Sequence, residues 1–507
     1  MDRRLFLQAA TLTALECLTT RLESHGQHTV DNGEQIISVQ TRTVKGPLPH
    51  VWEECFGSDR AAVAMRAQWL SDLELVKKTV GIKSVRFHGL FDDEMGVWSS
   101  GTHPVFLYVD TVFDAMLERG VRPFVELSFM PKALASGERT IFWYKGNTTP
   151  PKELKDWGVL VGTLAKHCVD RYGLEEVRQW KFEVWNEPNI VFWTGTKSQY
   201  LDLYRESAEA IKGVDKQLKV GGPATAMAAW VPDLLEFCAT QNVPIDFVSS
   251  HIYPDDPQKN VFGEDHHYPL EQVIPRALSM MKEQIKASKY PDLPLYISEW
   301  SSQNPAFIAD TIKSSIGLAE VMSYWTFDNV FEELGTPRTF LNRAFGLIGM
   351  RGVPRPSFHT FTLLHKLGEV QLASSDGPAL ATRRSDGSVA ILLWNLVLDP
   401  KQKGSMGDPM VQNDVQFVSQ GATKEFKLRL EGDSKHRLVK ITCVDSDHGS
   451  FLHSYQGMGS PEYPTSAQIE ELKRASLLPE PEVRHLGARG EISISIPANG
   501  IALLELA

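Results

Sequence analysis

Between about residues 50 and 365, short β-branched and apolar runs alternate with longer stretches whose apolar positions repeat at the helical period. Eight runs read as strands: WEECFG near 52, KSVRFHG near 83, RPFVELSF near 122, KFEVWNE near 181, LKVGGPA near 218, DFVSSHIY near 246, LPLYISEW near 293 and AEVMSYWTF near 319. Segments such as AMRAQWLSDLELVKKTVG, ELKDWGVLVGTLAKHCVDRYG and YLDLYRESAEAIKGVD between them read as helices, several closed by Gly. Eight such repeats predict an α/β protein with a (β/α)8 TIM barrel over residues 48–368. After Gly368 the pattern becomes SVAILLWN, EFKLRLEG, RLVKITCVD and EISISIPANGIALLEL, short strands broken by turn residues, which predict a C-terminal β-sandwich domain over 369–507. Residues 399–414, with Pro, Gly and Lys and no period, read as a loop. The strand EQIISVQTRTVKG falls ahead of the barrel, so residues 31–47 are expected to join the sandwich.

Hydrophobic residues at 42% and charged residues at 23% exclude a disordered chain and a polytopic membrane protein. With 52 Lys plus Arg against 63 Asp plus Glu the net charge is −11, which argues against nucleic acid as a partner. Twelve Trp, 12 Tyr and 24 Phe suit a protein that stacks rings on sugars, although core packing accounts for most of them. Cys17, Cys55, Cys168, Cys238 and Cys443 form no CxxC pair, so buried free thiols are expected rather than disulfides or zinc. Residues 1–30 open with Arg3–Arg4 ahead of a mostly apolar stretch, the layout of a twin-arginine export signal. It predicts a periplasmic or secreted protein, with a cytoplasmic one as the alternative. No later apolar run is long enough to anchor the chain in a membrane.

Two strings carry the chemistry. KFEVWNEPN places Glu187 at the end of the fourth barrel strand, with Pro188 stopping the strand, and LPLYISEW places Glu299 at the end of the seventh. A carboxylate is costly within a barrel core but faces the site at the C-terminal mouth. Two there supply what glycosidic hydrolysis needs: a protonated acid for the leaving oxygen and an ionised partner for the anomeric carbon. Asn186 can bond the sugar hydroxyl beside the anomeric carbon, Tyr253 can hold a carboxylate ionised, and Trp325 can floor a sugar. His88 and His251 each follow an apolar strand and read as ligand contacts or as satisfied core histidines. Glu126, inside the third strand, reads as a buried, paired carboxylate.

The strings RFHGLFDDEMGVW (86–98), PFVELSFMP (123–131), FEVWNEPNIVFW (182–193), HIY (251–253), YISEW and YWTFDNVFEE (324–333) together resemble glycoside hydrolase family 39, the β-xylosidases and α-L-iduronidases of the retaining barrel clan. The resemblance implies that Glu187 is the acid/base and Glu299 the nucleophile. It also implies that His88, Asn186, His251, Tyr253, Trp325 and Glu332 bind the sugar, with Phe129 and Phe192 walling the pocket. An oligosaccharide substrate is expected, and no cofactor or metal, the adjacent His266 and His267 being poorly placed to share one ion. The leading expectation is an exo-acting β-xylosidase. The alternatives are α-L-iduronidase or another specificity of the family, and a sugar-binding protein without turnover. An iduronate carboxylate calls for a cation in the pocket, for which Lys132, Arg338 and Arg343 are candidates.

Overall fold

The computed structural model describes residues 34–98, 103–264, 266–336, 340, 345–398, 421–432 and 438–506. The export-signal segment, Cys17, Arg338, Arg343 and residues 399–414 lie outside the described residues.

Eight parallel strands close a barrel: β2 (Phe56–Arg60), β3 (Ser84–His88), β4 (Arg122–Leu127), β5 (Lys181–Val184), β6 (Lys219–Thr225), β7 (Phe247–His251), β8 (Leu295–Trp300) and β9 (Val321–Tyr324). Both faces of such strands are covered, which is why they read as continuous apolar runs rather than alternating ones. The covering helices are α1 (Ala67–Val80), α2 (Leu107–Glu118), α3 (Leu154–Tyr172), α4 (Lys197–Val214), α5 (Val231–Gln241), α6 (Leu270–Lys286), α7 (Pro305–Ser314) and α8 (Pro356–His365). Their ends follow local chemistry. Thr196 and Gln199 form a capping box at the start of α4, Asn304 caps α7 ahead of Pro305, and Gly81 closes α1 with a left-handed φ of 77°.

The first barrel strand lies later than WEECFG suggests. Residues 51–54 form a buried turn whose carbonyls, Val51 O and Glu53 O, accept from Met322 N and Lys83 N at the barrel floor, and pairing begins only at Phe56.

Nine strands form the second sheet, in the order β15 (Glu482–His485), β14 (Leu438–Val444), β17 (Ile501–Leu506), β12 (Val389–Trp394), β11 (Ala379–Arg383), β10 (Val370–Ser374), β1 (Gln35–Pro47), β13 (Lys424–Glu431) and β16 (Glu491–Ile496). Phe426 and Ile494 near one end share a buried core with Val439 and Ile441 near the other, so the sheet folds over on itself as a sandwich. β1 lies antiparallel to β10 and parallel to β13, tying the segment ahead of the barrel into the C-terminal unit. Period-two alternation assigns the faces of β12: Val389, Ile391 and Leu393 fill the sandwich, while Ala390, Leu392 and Trp394 join the barrel's core. The Trp394 indole donates to Asp310 on α7 (3.1 Å). The sequence pattern left β10, β11 and β15 unassigned, and with them two helices, α9 (Leu452–Gly457) and α10 (Ser466–Ala475), which follow β14. Cys55, Cys168 and Cys238 are buried free thiols, and Cys443 is a half-buried one.

Candidate active site

β5 stops at Val184, and the chain turns before reaching Glu187. Trp185 and Glu187 take left-handed φ angles of 72° and 43°, a region that residues with side chains avoid and that recurs at functional sites. The turn is fixed from both sides. Glu187 N donates to Ala224 O (2.8 Å), and the buried Trp185 indole donates to Phe192 O (2.9 Å). Glu299 is the penultimate residue of β8, and a slip in the pairing with β7 sets it opposite His251. His251 Nδ1 lies 3.1 Å from Glu187 Oε1 and 3.4 Å from Glu299 Oε2. One donor atom from each of Glu187, His251 and Glu299 lies within 4.8 Å of the others, and both glutamates are under 10% exposed. The Tyr253 hydroxyl donates to Glu299 Oε1 (2.6 Å).

Beneath the glutamates lies a charged layer centred on Arg86, a residue the motif reading passed over. Its guanidinium donates to Glu183 Oε2 (2.6 Å) and to Asn186 Oδ1 (2.9 Å), meets Glu126 Oε2 at 2.8 Å and stands 3.6 Å from Glu299 Oε2. Burial acts against this cation, yet the surrounding carboxylates raise its pKa. Glu126 also accepts from Ser128 and pairs with His88 Nδ1 (2.8 Å). Burial alone would raise Glu126; Arg86 and His88 hold it below the usual carboxylate value. His88 is likewise disfavoured as a cation by burial, but Glu126 raises its pKa above the ordinary histidine value. The signal was present as polar or charged residues two apart, Arg86/His88, Glu126/Ser128 and Lys181/Glu183, on inward-facing positions of otherwise apolar strands.

By fixing the Asn186 carbonyl, Arg86 leaves that side chain's NH2 to donate to a ligand. One wall of the mouth is aromatic: Phe129 meets Trp185 edge-on at 5.7 Å, and Phe142 lies 5.1 Å from Phe192 and 6.0 Å from His88. Trp325 stands 4.6 Å from the His88 ring and packs over Gly57, where a Cβ would collide with the indole. Glu332 departs from expectation. Its carboxylate is taken up by Arg66 (2.5 and 2.8 Å) and Arg60 (3.1 Å), and it is the neighbouring Glu333 whose Oε1 lies 3.7 Å from His88 Nε2. The two guanidiniums turn Glu332 toward the ends of β2 and α1. The structure thus brings Glu187, Glu299, His251, Tyr253, Asn186, His88, Phe129, Phe192 and Trp325 together at one mouth and leaves Glu332 outside that group.

Besides Glu187, His251 and Glu299, the metal-compatible group among the described residues is His50, Glu53 and His365, in which one Glu53 oxygen lies 2.6 and 2.9 Å from the two Nδ1 atoms. His266 stacks on Tyr268 at 4.7 Å.

Two close carboxylates at the C-terminal mouth of a (β/α)8 barrel, on its fourth and seventh strands, define a glycosidase. Within that class the chain belongs to glycosyl hydrolases family 39, whose sequence model matches residues 35–493. A β-xylosidase of Geobacillus stearothermophilus is 36% identical over 488 residues, covering 90% of this chain and 92% of its own length. A β-xylosidase of Caldicellulosiruptor saccharolyticus is 37% identical over 464 residues, covering 86% and 91%. A monomeric β-xylosidase from Caulobacter crescentus CB15 shares the fold with a TM-score of 0.83 at 30% identity, over 93% of this chain and 99% of that one. Human α-L-iduronidase is 26% identical over 251 residues, 44% of this chain and 35% of its own.

Proposed function

We propose that the protein is a retaining exo-β-xylosidase that releases xylose from the non-reducing ends of xylo-oligosaccharides, a step of xylan degradation. The observation that carries this reading is the approach of Glu187 and Glu299 oxygens to within 4.8 Å. Double displacement uses carboxyl groups about 5–5.5 Å apart, whereas inversion needs about 6.5–9.5 Å to admit a water. Glu187 protonates the glycosidic oxygen as a Glu299 oxygen attacks the anomeric carbon, giving a covalent glycosyl-enzyme. Glu187, now ionised, then takes a proton from the water that displaces Glu299. Tyr253 orients Glu299 through its hydrogen bond to Oε1, Asn186 donates to the hydroxyl beside the anomeric carbon, and His88, Glu333 and Trp325 hold the sugar ring.

Xylose is favoured over a uronate by the charges. The described cations around the mouth are already matched to protein carboxylates: Arg86 to Glu126 and Glu183, Arg60 to Asp59 and Glu94, Arg66 to Glu332. Lys132 is exposed. A panel of aryl glycosides compared by kcat/KM tests this, with the β-D-xyloside expected to lead; preference for an α-L-iduronide or a β-hexoside would overturn it. NMR of the first-formed sugar should show the β-anomer. Export through Arg3–Arg4 is part of the proposal, and replacing both by Lys should retain the enzyme in the cytoplasm of a host with a twin-arginine system.

A further inference from the structure

At the end of the barrel opposite the glutamates, four consecutive strands begin with a cation. Lys83 directly precedes β3, while Arg122, Lys181 and Lys219 are the first residues of β4, β5 and β6. Arg122 lies two residues before Phe124 and four before Glu126, and Lys181 two before Glu183, so both occupy the inward-facing register that holds the Arg86 layer higher up. Lys181 and Lys219 are direct partners across the parallel ladder. These residues and Glu54 line a cavity of about 230 Å³.

The acids at this end are already engaged, two of them by Lys83 and Arg122. Glu54 pairs with Lys83 (2.6 Å), Glu176 with Arg122 (2.7 Å), Asp246 with Lys212 (2.7 Å) and Glu320 with Lys282 (2.8 Å). Among the described residues Lys181 and Lys219 have no carboxylate of their own. Half-buried Lys181 is held below the ordinary lysine pKa by burial first and by Lys219 and Lys83 as well, against the pull of Glu54. Two adjacent unmatched ammonium groups, one partly out of water, are costly unless a counter-charge enters between them. The concentration of positive charge stands out further in a chain whose net charge is −11.

We propose that the N-terminal mouth of the barrel binds a phosphate-class oxyanion, clasped by Lys181 and Lys219 with the paired Arg122 and Lys83 at the rim. The lysines supply point charges of the kind that bind phosphate, while Arg122, whose Nε and Nη2 already hold Glu176, borders the site. The site is independent of the xylosidase assignment.

The test uses the full chain, titrated with inorganic phosphate at low millimolar concentration, where exclusion of kosmotropic salts from the surface is small, against sodium chloride of equal ionic strength. Phosphate should raise Tm saturably by about 2 °C or more, and calorimetry should give a matching affinity. Lys219→Gln, at an exposed position, should weaken binding at least tenfold, and Lys181→Gln should do the same where it folds, with kcat/KM for an aryl xyloside unchanged. A sugar phosphate that binds more tightly than inorganic phosphate would identify a phosphate ester as the ligand; equal affinities would identify the free oxyanion. A Tm shift no larger than that of chloride, or one undiminished in Lys219→Gln, would overturn the proposal.

Discussion

The Tyr253 hydroxyl points at Glu299 Oε1 across 2.6 Å, while the other oxygen of Glu299 faces Arg86 Nη1 at 3.6 Å. A hydrogen bond donated to a carboxylate favours its ionised form, the form a nucleophile needs. Tyr253→Phe should therefore lower kcat/KM for an aryl xyloside by about 10- to 100-fold, the equivalent of one charge-assisted hydrogen bond. Unchanged kinetics would show that the tyrosine merely packs there.

The roles of the two glutamates separate by leaving group. In Glu187→Ala an aryl glycoside with a good leaving group should still form the glycosyl-enzyme, whereas xylobiose should lose activity by orders of magnitude. Azide should restore turnover and give a β-glycosyl azide. Glu299→Ala should be inactive on both substrates, and any azide product should carry the opposite configuration. Equal losses on both substrates in Glu187→Ala, or the same azide anomer from both variants, would reverse the assignment.

Arg86 is the sole counter-cation bonded directly to Glu183 among the described residues, and it meets Glu126 as well. Removing one partner of a buried ion pair strands the others in a low dielectric, so Arg86→Met should cost about 3–5 kcal/mol of stability in urea denaturation. Arg86→Lys should recover little, because an ammonium cannot reproduce the fork that reaches Glu126, Glu183 and Asn186 together. A loss below about 1 kcal/mol for Arg86→Met would mean that the carboxylates take up protons instead.

Much of this was readable in the chain because parallel barrel strands are long apolar runs, and a Glu at the end of one has few places to go but the mouth. Less readable was anything set by interlocking partners. Arg86 and Glu183 lie inside strands, where a charge survives only if a partner from another strand reaches it, and no local pattern names that partner. Glu332 and Glu333 are adjacent carboxylates that the sequence cannot rank; Arg60 and Arg66, more than 260 positions away, divide them. The strands β10 and β11 were missed because each is five residues long, VQLAS and ALATR, with few large apolar positions to set a period.

Truncation after residue 368 should not yield a free-standing barrel. It would strip β1 of both neighbours, β10 and β13, and uncover the barrel surface that now packs on Leu392, Trp394 and Leu503. An unpaired strand beside an apolar patch is an aggregation site. The truncated chain should appear in the insoluble fraction, and a soluble, fully active barrel would contradict the packing described here.

His359 gives the interface between barrel and C-terminal unit a pH signature. It sits on α8, donates from Nε2 to the carbonyl of Ser476 (2.6 Å) just after α10, and is 4% exposed. Burial lowers its pKa from 6.5 to about 4, only partly opposed by that hydrogen bond. The folded protein therefore holds fewer protons than the unfolded chain between those two values, and stability is lost as pH falls from about 6.5 toward 4. At 1.36 kcal/mol for each pH unit of difference, the loss is about 3 kcal/mol and is complete near pH 4. Thermal unfolding followed across this window should show Tm falling with acidity. In His359→Gln, which keeps a donor for Ser476 but does not titrate, the fall should be shallower by that amount. Parallel Tm curves for the two proteins would mean that His359 takes no part in the acid lability of the interface.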